Sequence, residues 1–295
     1  MQPTVTFFVT TPRSATQWLG AALGDAYPDL VVAEHEPLGF RYRPSATLRD
    51  PEAAMAMART PEIAGHLARI QAIVDSGRSY VEVGFPTFGI TPALRRMFGD
   101  RLHLVQMTRD PVRVAASLVT HRWYIDGARD DVHGMVALTP SDAGVMMKSY
   151  AARWPTMTAF EKGLFLWAEI HAYGLEVEAE TPRERFARFR AEDLLAPPSS
   201  RRRKLAAFLD LPERAAWTVA PESRIDRFHN TTTETIDPRQ LSLHPEIVAL
   251  ARRLGYAADD TDHAALTERY RRTTAQSIRR MARRTAKHVA SALFT

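Results

Sequence analysis

Anion binding is the chemistry for which this sequence carries the plainest materials. The segment TPRSATQW, Thr11–Trp18, joins a short apolar run to the start of a helical one. It brings hydroxyls, an arginine and backbone N–H groups to a helix N-terminus, where unpaired donors and the positive end of the helix dipole favour phosphate or sulfate. It lacks the glycines and the Gly-Lys-Ser/Thr ending of a Walker A loop, so an ATPase or GTPase reading is poorly supported. The same residues also read as a hydroxyl-capped strand–helix turn. A second segment, HLVQMTRDPVRVAASLVTHRWY (His103–Tyr124), places Arg109 at the end of an apolar run and Ser117 two turns into the helix that follows. Both can face one ligand outside the strand ends, where open sheets bind ligands. Its Arg-Asp-Pro also fits plain capping, with Asp110 at the N-cap and Pro111 at the first helical position. His, Asp and Glu show no metal-ligand spacing, so no metal is implied, and His103 reads as a packed strand residue.

Composition bounds what those segments can belong to. The chain has 295 residues, 45% hydrophobic and 25% charged, enough for one large domain with a full core. It has no cysteine, which excludes disulfides, thiolate metal sites and a cysteine nucleophile. No apolar run approaches the roughly 18 residues that span a bilayer, and the N-terminus lacks a basic n-region and long apolar h-region; a soluble cytoplasmic protein is the expectation. The net charge of +5 hints at nucleic acid until its location is considered. From Arg269 onward there are eight Lys and Arg and no Asp or Glu, so the other 268 residues carry 31 basic and 34 acidic side chains. The body is mildly acidic, and a nucleic-acid partner is not expected. Only four of the basic residues are lysines, so an anion site here is built mainly from arginine.

The elements that must position these residues alternate. Val5–Val9 reads as the first strand, followed by a loop and a helix through Trp18, Leu19, Ala22 and Leu23, then a short strand over Leu30–Ala33. A second cycle runs through a helix at Pro61–Asp75, a strand at Tyr80–Val83, a helix at Pro92–Phe98 and a strand at Leu102–Met107. A helix follows from Val112 to about Thr120. Such alternation predicts a parallel sheet with helices on both faces. Gly127–Ser141 reads as a long loop, Tyr150–Tyr173 as a helix despite Pro155, and Arg185–Arg190 as a last strand. Trp154, Trp167, Phe160 and Phe165 read as core. Arg201–Leu209 resumes as a helix, Pro221–Leu243 as a polar loop or lid, and His244–Leu254 and Thr267–Leu293 as closing helices. The expected division is a domain over 1–260 and a basic helical tail over 261–295.

In combination the two segments resemble the sulfotransferase superfamily that uses 3'-phosphoadenosine 5'-phosphosulfate (PAPS). In that family a Lys/Arg-Ser-Gly-Thr-Thr loop after the first strand holds the 5'-phosphosulfate, and a later Arg and Ser, spaced as Arg109 and Ser117 are, hold the 3'-phosphate. A third match is RFRAEDLLAPPSSRRRKLAAFLDLP (Arg188–Pro212), which resembles the family's Glu-Asp-Leu, proline, helix, Phe-Leu segment. The resemblance spans roughly residues 4–255 in order. It implies an α/β fold of three layers, α/β/α, with a central parallel sheet of the P-loop NTPase-like sulfotransferase kind and a helical C-terminal extension. It implies PAPS as co-substrate without a metal. Arg13 would contact the sulfate and leaving oxygen; Ser14, Ala15, Thr16, Gln17 and Trp18 form the rest of the 5'-phosphate loop, and Arg109 and Ser117 the 3'-phosphate site. Arginine at position 13 resembles the carbohydrate- and tyrosine-sulfating and bacterial branches more than the cytosolic phenol branch. Ala15 stands for the usual glycine, which requires φ to stay below zero. Arg190 stands near the family's adenine-side aromatic residue.

Sulfuryl transfer needs a base opposite the leaving group. AEHEPLGF (Ala33–Phe40) resembles the Glu-Pro-Leu after strand two of carbohydrate sulfotransferases, which makes Glu36 the candidate base, with His35 and Glu34 as rivals; as solvated loop residues the three would have no role. His66 and His121 are weaker candidates, by analogy with the phenol branch. The implied function is sulfuryl transfer from PAPS to a hydroxyl of a small-molecule, glycolipid or other glycan acceptor. The alternative is a nucleotide or small-molecule kinase with a degenerate phosphate loop. Arg224, Arg227 and His229 are candidates for a loop closing over the 3'-phosphate. The basic tail would lie on anionic membrane, recruit an acidic partner or pack as a terminal helix.

Overall fold

The protein is described by a computed structural model covering residues 2–125, 134–196, 200–218, 230–257 and 261–271. Five strands alternate with helices: β1 (Val5–Thr10), β2 (Val31–Glu34), β3 (Ser79–Glu82), β4 (Leu102–Thr108) and β5 (Phe186–Arg190). The helices of eight residues or more are α1 (Thr16–Ala26), α2 (Pro51–Ala58), α3 (Pro61–Asp75), α4 (Thr91–Phe98), α5 (Pro111–Thr120), α6 (Ala159–Ala179), α7 (Ser200–Phe208), α8 (Pro245–Arg253) and α9 (His263–Tyr270). All strand pairings are parallel, in the order β2-β3-β1-β4-β5, with Val5 opposite both Tyr80 and Leu102 and Thr108 opposite Arg190. This is the expected three-layer α/β/α arrangement.

β1 shows why the layers form. Every residue of VTFFVT is buried, as in a central parallel strand covered on both faces. Val5, Phe7 and Val9 join one core with Tyr80, Leu104, Leu164 and Ile170, while Phe8 joins the other with Trp18, Leu19, Val81 and Val105. The period of two thus distributes one strand between two helix layers. The chain leaves β1 toward β2 on one side and β4 toward β5 on the other. The crevice between the C-terminal ends of β1 and β4 is therefore the switch point at which open sheets bind ligands.

Several sequence expectations need revision. The helix expected from Tyr150 begins at Ala159; two 3-10 turns, Lys148–Ala152 and Trp154–Thr156, precede it. Pro155 denies the earlier segment an N–H, and Thr158 with Glu161 forms a capping box that fixes the true start. Phe160, Phe165 and Trp167 are core residues there, as expected, with Trp154 half-buried beside them. α2 was not anticipated. The expected helix over Thr267–Leu293 is described only to Arg271, where α9 buries Leu266 and Tyr270 in the main core. The rest of the basic tail, Arg224, Arg227 and His229, and residues 126–133 of the expected long loop lie outside the described residues. Among the described residues no helix is long and apolar enough to cross a membrane.

One buried residue on α6 makes stability pH-dependent. His171 is fully buried against the Trp167 ring, 4.8 Å between centroids, and neither ring nitrogen has a hydrogen-bond partner. Burial, aided by the Arg188 charge, pushes its pKa down to about 3 from 6.5. Between those values the unfolded chain takes up a proton that the folded chain refuses, so stability falls as pH drops from 6.5 toward 3. Urea unfolding at pH 7 and pH 5 is expected to show this loss, and His171→Phe to reduce it.

Candidate active site

The loop after β1 leaves its helix end open. Ala15 occupies the N-cap of α1, no side chain caps it, and no acidic residue lies in the first turn. The hydroxyl-capped reading of this turn therefore fails. The hydroxyls are engaged otherwise: Thr11 Oγ1 and Ser14 Oγ, both buried, bond each other at 2.8 Å, and Thr16 Oγ1 bonds His35 Nε2 at 3.0 Å. The N–H groups at the start of this eleven-residue helix, which follows the C-terminal end of β1, thus have no side-chain cap. Gln17 is exposed on this turn, whereas the Trp18 indole is packed in the core, so Trp18 can offer a ligand only its backbone.

Backbone geometry corrects one expectation. Ala15 has φ of 64°, in the left-handed region, and Arg13 has φ of 68°. Ala15 thus adopts the conformation that glycine holds without penalty, and the requirement of negative φ is overturned. For an L-residue this conformation costs on the order of 1 kcal/mol, partly offset by the smaller chain entropy of alanine. Ala15→Gly is accordingly expected to leave the fold unchanged and raise stability by about 0.5 kcal/mol, read as a higher urea midpoint.

Arg13, Arg109 and Ser117 are brought together. Arg13 Nε donates to Ser117 Oγ at 3.0 Å, and the Arg109 guanidinium donates to the Arg13 carbonyl. Arg109 is held in turn by Trp167, whose Nε1 donates to its carbonyl at 2.8 Å. In contrast to α1, α5 is capped: Asp110 accepts from the Arg113 N–H at 2.8 Å, with Pro111 at the first position. The plain capping reading therefore holds for Asp110, while the two arginines and Ser117 span the crevice between β1 and β4. Beside them the Arg190 guanidinium lies 4.3 Å from the Tyr256 ring centroid and donates to the Gly255 carbonyl at 3.0 Å. Tyr256, which supplies an aromatic ring at this edge, was not singled out from sequence.

Across the crevice the loop after β2 sorts the three candidate bases. Glu34 is engaged: Arg69 and Tyr80 donate to it and, against the cost of burial, hold its carboxyl below the usual range. His35 is pushed down by burial and by the Arg13 charge, which leaves it neutral at neutral pH. Glu36 differs from both. It has φ of 48°, its side chain is 19% exposed, and its Oε1 accepts the Phe85 N–H at 3.3 Å and stands 3.5 Å from His35 Nε2. Burial first, and the Glu82 charge second, push its pKa up to about 7, against the lowering effect of the Phe85 N–H and Arg13. A carboxylate of that proton affinity is matched to general-base work near neutral pH. His66 is buried against Glu82, 2.8 Å between Nε2 and Oε2, and His121 Nδ1 stands 2.9 Å from the Ser117 carbonyl oxygen.

No protein-family model and no curated protein matches the chain. Among solved structures, the sulfotransferase domain of the Synechococcus PCC 7002 olefin synthase is similar with a TM-score of 0.52 at 14% identity, over 86% of this chain and 94% of that one. The chain has the sulfotransferase fold. Looser matches at a TM-score of 0.48 are the sulfotransferase domain from the curacin biosynthetic pathway and the sulfotransferase from Alicyclobacillus acidocaldarius. The former is 15% identical over 87% of this chain and 98% of that one, the latter 17% identical over 90% and 99%. On the sulfotransferase fold seen here, the uncapped end of α1, the arginine pair and Glu36 all sit at the C-terminal edge of the sheet. Glu82, which ends β3, and Tyr42 and Tyr80, which bond it, escaped the sequence reading. A charged residue inside the otherwise apolar run YVEV was the available signal.

Proposed function

We propose that this protein transfers the sulfuryl group of PAPS to a hydroxyl of a small-molecule or glycan acceptor. The observation that supports this best is the uncapped N-terminus of α1 flanked by Arg13 and Arg109, with Glu36 on the facing loop. These residues fit the co-substrate: helix N–H groups and guanidinium for the phosphosulfate, Arg109 with Ser117 for the 3'-phosphate. Glu36 removes the proton of the acceptor hydroxyl as its oxygen attacks sulfur. The bond between sulfur and the bridging phosphate oxygen breaks, and Arg13 stabilises the charge that develops on that oxygen. Adenosine 3',5'-diphosphate leaves. Glu36 must be ionised to act, so activity rises as pH passes through about 7.

The kinase alternative has less support, because arginine and not a Walker lysine occupies the loop. Calorimetric titration separates the two. Low-micromolar binding of adenosine 3',5'-diphosphate is expected, and binding of ATP with Mg²⁺ in its place would put the kinase first.

A further inference from the structure

Glu82 closes β3 and has no exposed surface. A buried carboxylate is stable where donors converge on it. Tyr42 Oη donates to its Oε1 at 3.0 Å, and His66 Nε2 stands 2.8 Å from its Oε2. Arg69 donates to His66 Nδ1 at 3.2 Å, which makes Nδ1 the acceptor and leaves Nε2 to donate to Glu82. Tyr80 Oη lies within hydrogen-bond distance of Glu34 at 2.7 Å and of Glu82 at 3.0 Å, one hydrogen shared between two carboxylates. Tyr42, His66 and Tyr80 come from three separate elements, and each treats Glu82 as an acceptor, the role of the anion.

The ends of β2 and β3 bring Glu36 to the same place. Glu34 and Glu82 are register partners, and Val83 N–H donates to the Glu34 carbonyl at 2.8 Å. Two residues on, the left-handed turn at Glu36 lays its side chain against Gly84. A Cβ at Gly84 would meet Glu36 Cγ at 2.6 Å, so only glycine admits this packing. The groups that face Glu36 are Arg13 from the loop after β1, His35 on its own loop, and Glu82 and the Phe85 N–H from the end of β3. Those that face Glu82 are Tyr42, His66 and Tyr80, with Arg69 and Glu34 behind them. Arg13 and Glu82 therefore act on Glu36 in opposite senses.

We propose that Glu82 is a positioning residue: its carboxylate, held by Tyr42, His66 and Tyr80 at the end of β3 beside the Glu36 turn, strengthens the hold of Glu36 on its proton. The inference rests on Glu36 being the base only for its catalytic consequence. The tyrosines and histidine that hold Glu82 would then be part of the base's support and not merely core polar groups. Removing the anion leaves burial alone to raise the proton affinity of Glu36 against the Phe85 N–H and Arg13, so Glu36 should ionise at lower pH.

The test is a ¹³C NMR titration of the Glu36 carboxyl in the full chain, assigned with Glu36→Gln. In Glu82→Gln the midpoint is expected to fall by about one pH unit from the wild-type value near 7. Glu82→Met combined with Tyr42→Phe, which replaces both partners of one hydrogen bond, is expected to shift it the same way. An unchanged midpoint in either folded variant overturns the proposal, and so does loss of near-UV circular dichroism in both, since Glu82 would then serve the fold alone. In a PAPS-dependent transfer assay the acid limb of kcat/KM should move with the NMR midpoint. The titration needs neither nucleotide nor acceptor. If adenosine 3',5'-diphosphate fails to bind while the midpoint shifts, the sulfotransferase reading falls and the coupling of Glu82 to Glu36 stands.

Discussion

Glu36→Gln is expected to lower kcat for sulfuryl transfer by about a hundredfold to ten-thousandfold, with binding of adenosine 3',5'-diphosphate unchanged. Glutamine keeps the length of the side chain and an oxygen for the Phe85 N–H, so the loop has no reason to move. What it loses is the capacity to take a proton. In the proposed binding mode the end of α1 and the arginines would hold the nucleotide, and an isosteric change at Glu36 should leave that hold in place. Turnover of the Gln variant against pH supplies the second readout: the rise through about pH 7 should vanish, not merely shift. His35→Ala is the necessary comparison. His35 stands 3.5 Å from Glu36 and 3.0 Å from Thr16, so its loss should cost far less than that of Glu36. Equal losses in the two variants, with the pH rise retained in Glu36→Gln, would transfer the role of base to His35.

The division between what the sequence disclosed and what it hid follows from range. The placement of Arg13 and Arg109 just beyond strand ends was legible because each lies at a local junction, an apolar strand giving way to a polar turn and then a helix. Such junctions in an alternating α/β chain all reach the same sheet edge. The helix at Pro61–Asp75 was legible to the residue because a proline begins it and Gly77 follows it. The support of Glu82 was not legible, since Tyr42, His66 and Tyr80 lie on a 3-10 turn, a helix and a strand. Nothing in their spacing brings them together; only the β2–β3 register and the packing of α3 do. Ala15 was misjudged for another reason: propensity alone disfavours a left-handed alanine, and the closure of the loop between two buried elements overrides it.

Arg13→Ala is expected to reduce kcat by about a hundredfold to a thousandfold, with a smaller loss of adenosine 3',5'-diphosphate affinity. Its guanidinium would meet charge that is larger on the leaving oxygen in the transition state than in the bound ground state. Arg109→Ala should show the opposite balance, losing nucleotide affinity first, because the 3'-phosphate carries the same charge throughout the reaction. The two effects will not be independent. The Arg109 guanidinium donates to the Arg13 carbonyl, and Arg13 itself holds a left-handed backbone that needs support from its surroundings. Removing Arg109 therefore loosens the residue that carries Arg13, and some turnover is lost by that route. In the double variant this part cannot be lost twice, so the combined loss in kcat should fall short of the product of the single losses by roughly 1 kcal/mol. Strict additivity would mean that Arg109 acts on the nucleotide alone and leaves the Arg13 loop indifferent to it. A reversed pattern, with affinity lost in Arg13→Ala and turnover alone in Arg109→Ala, would exchange the roles of the two arginines.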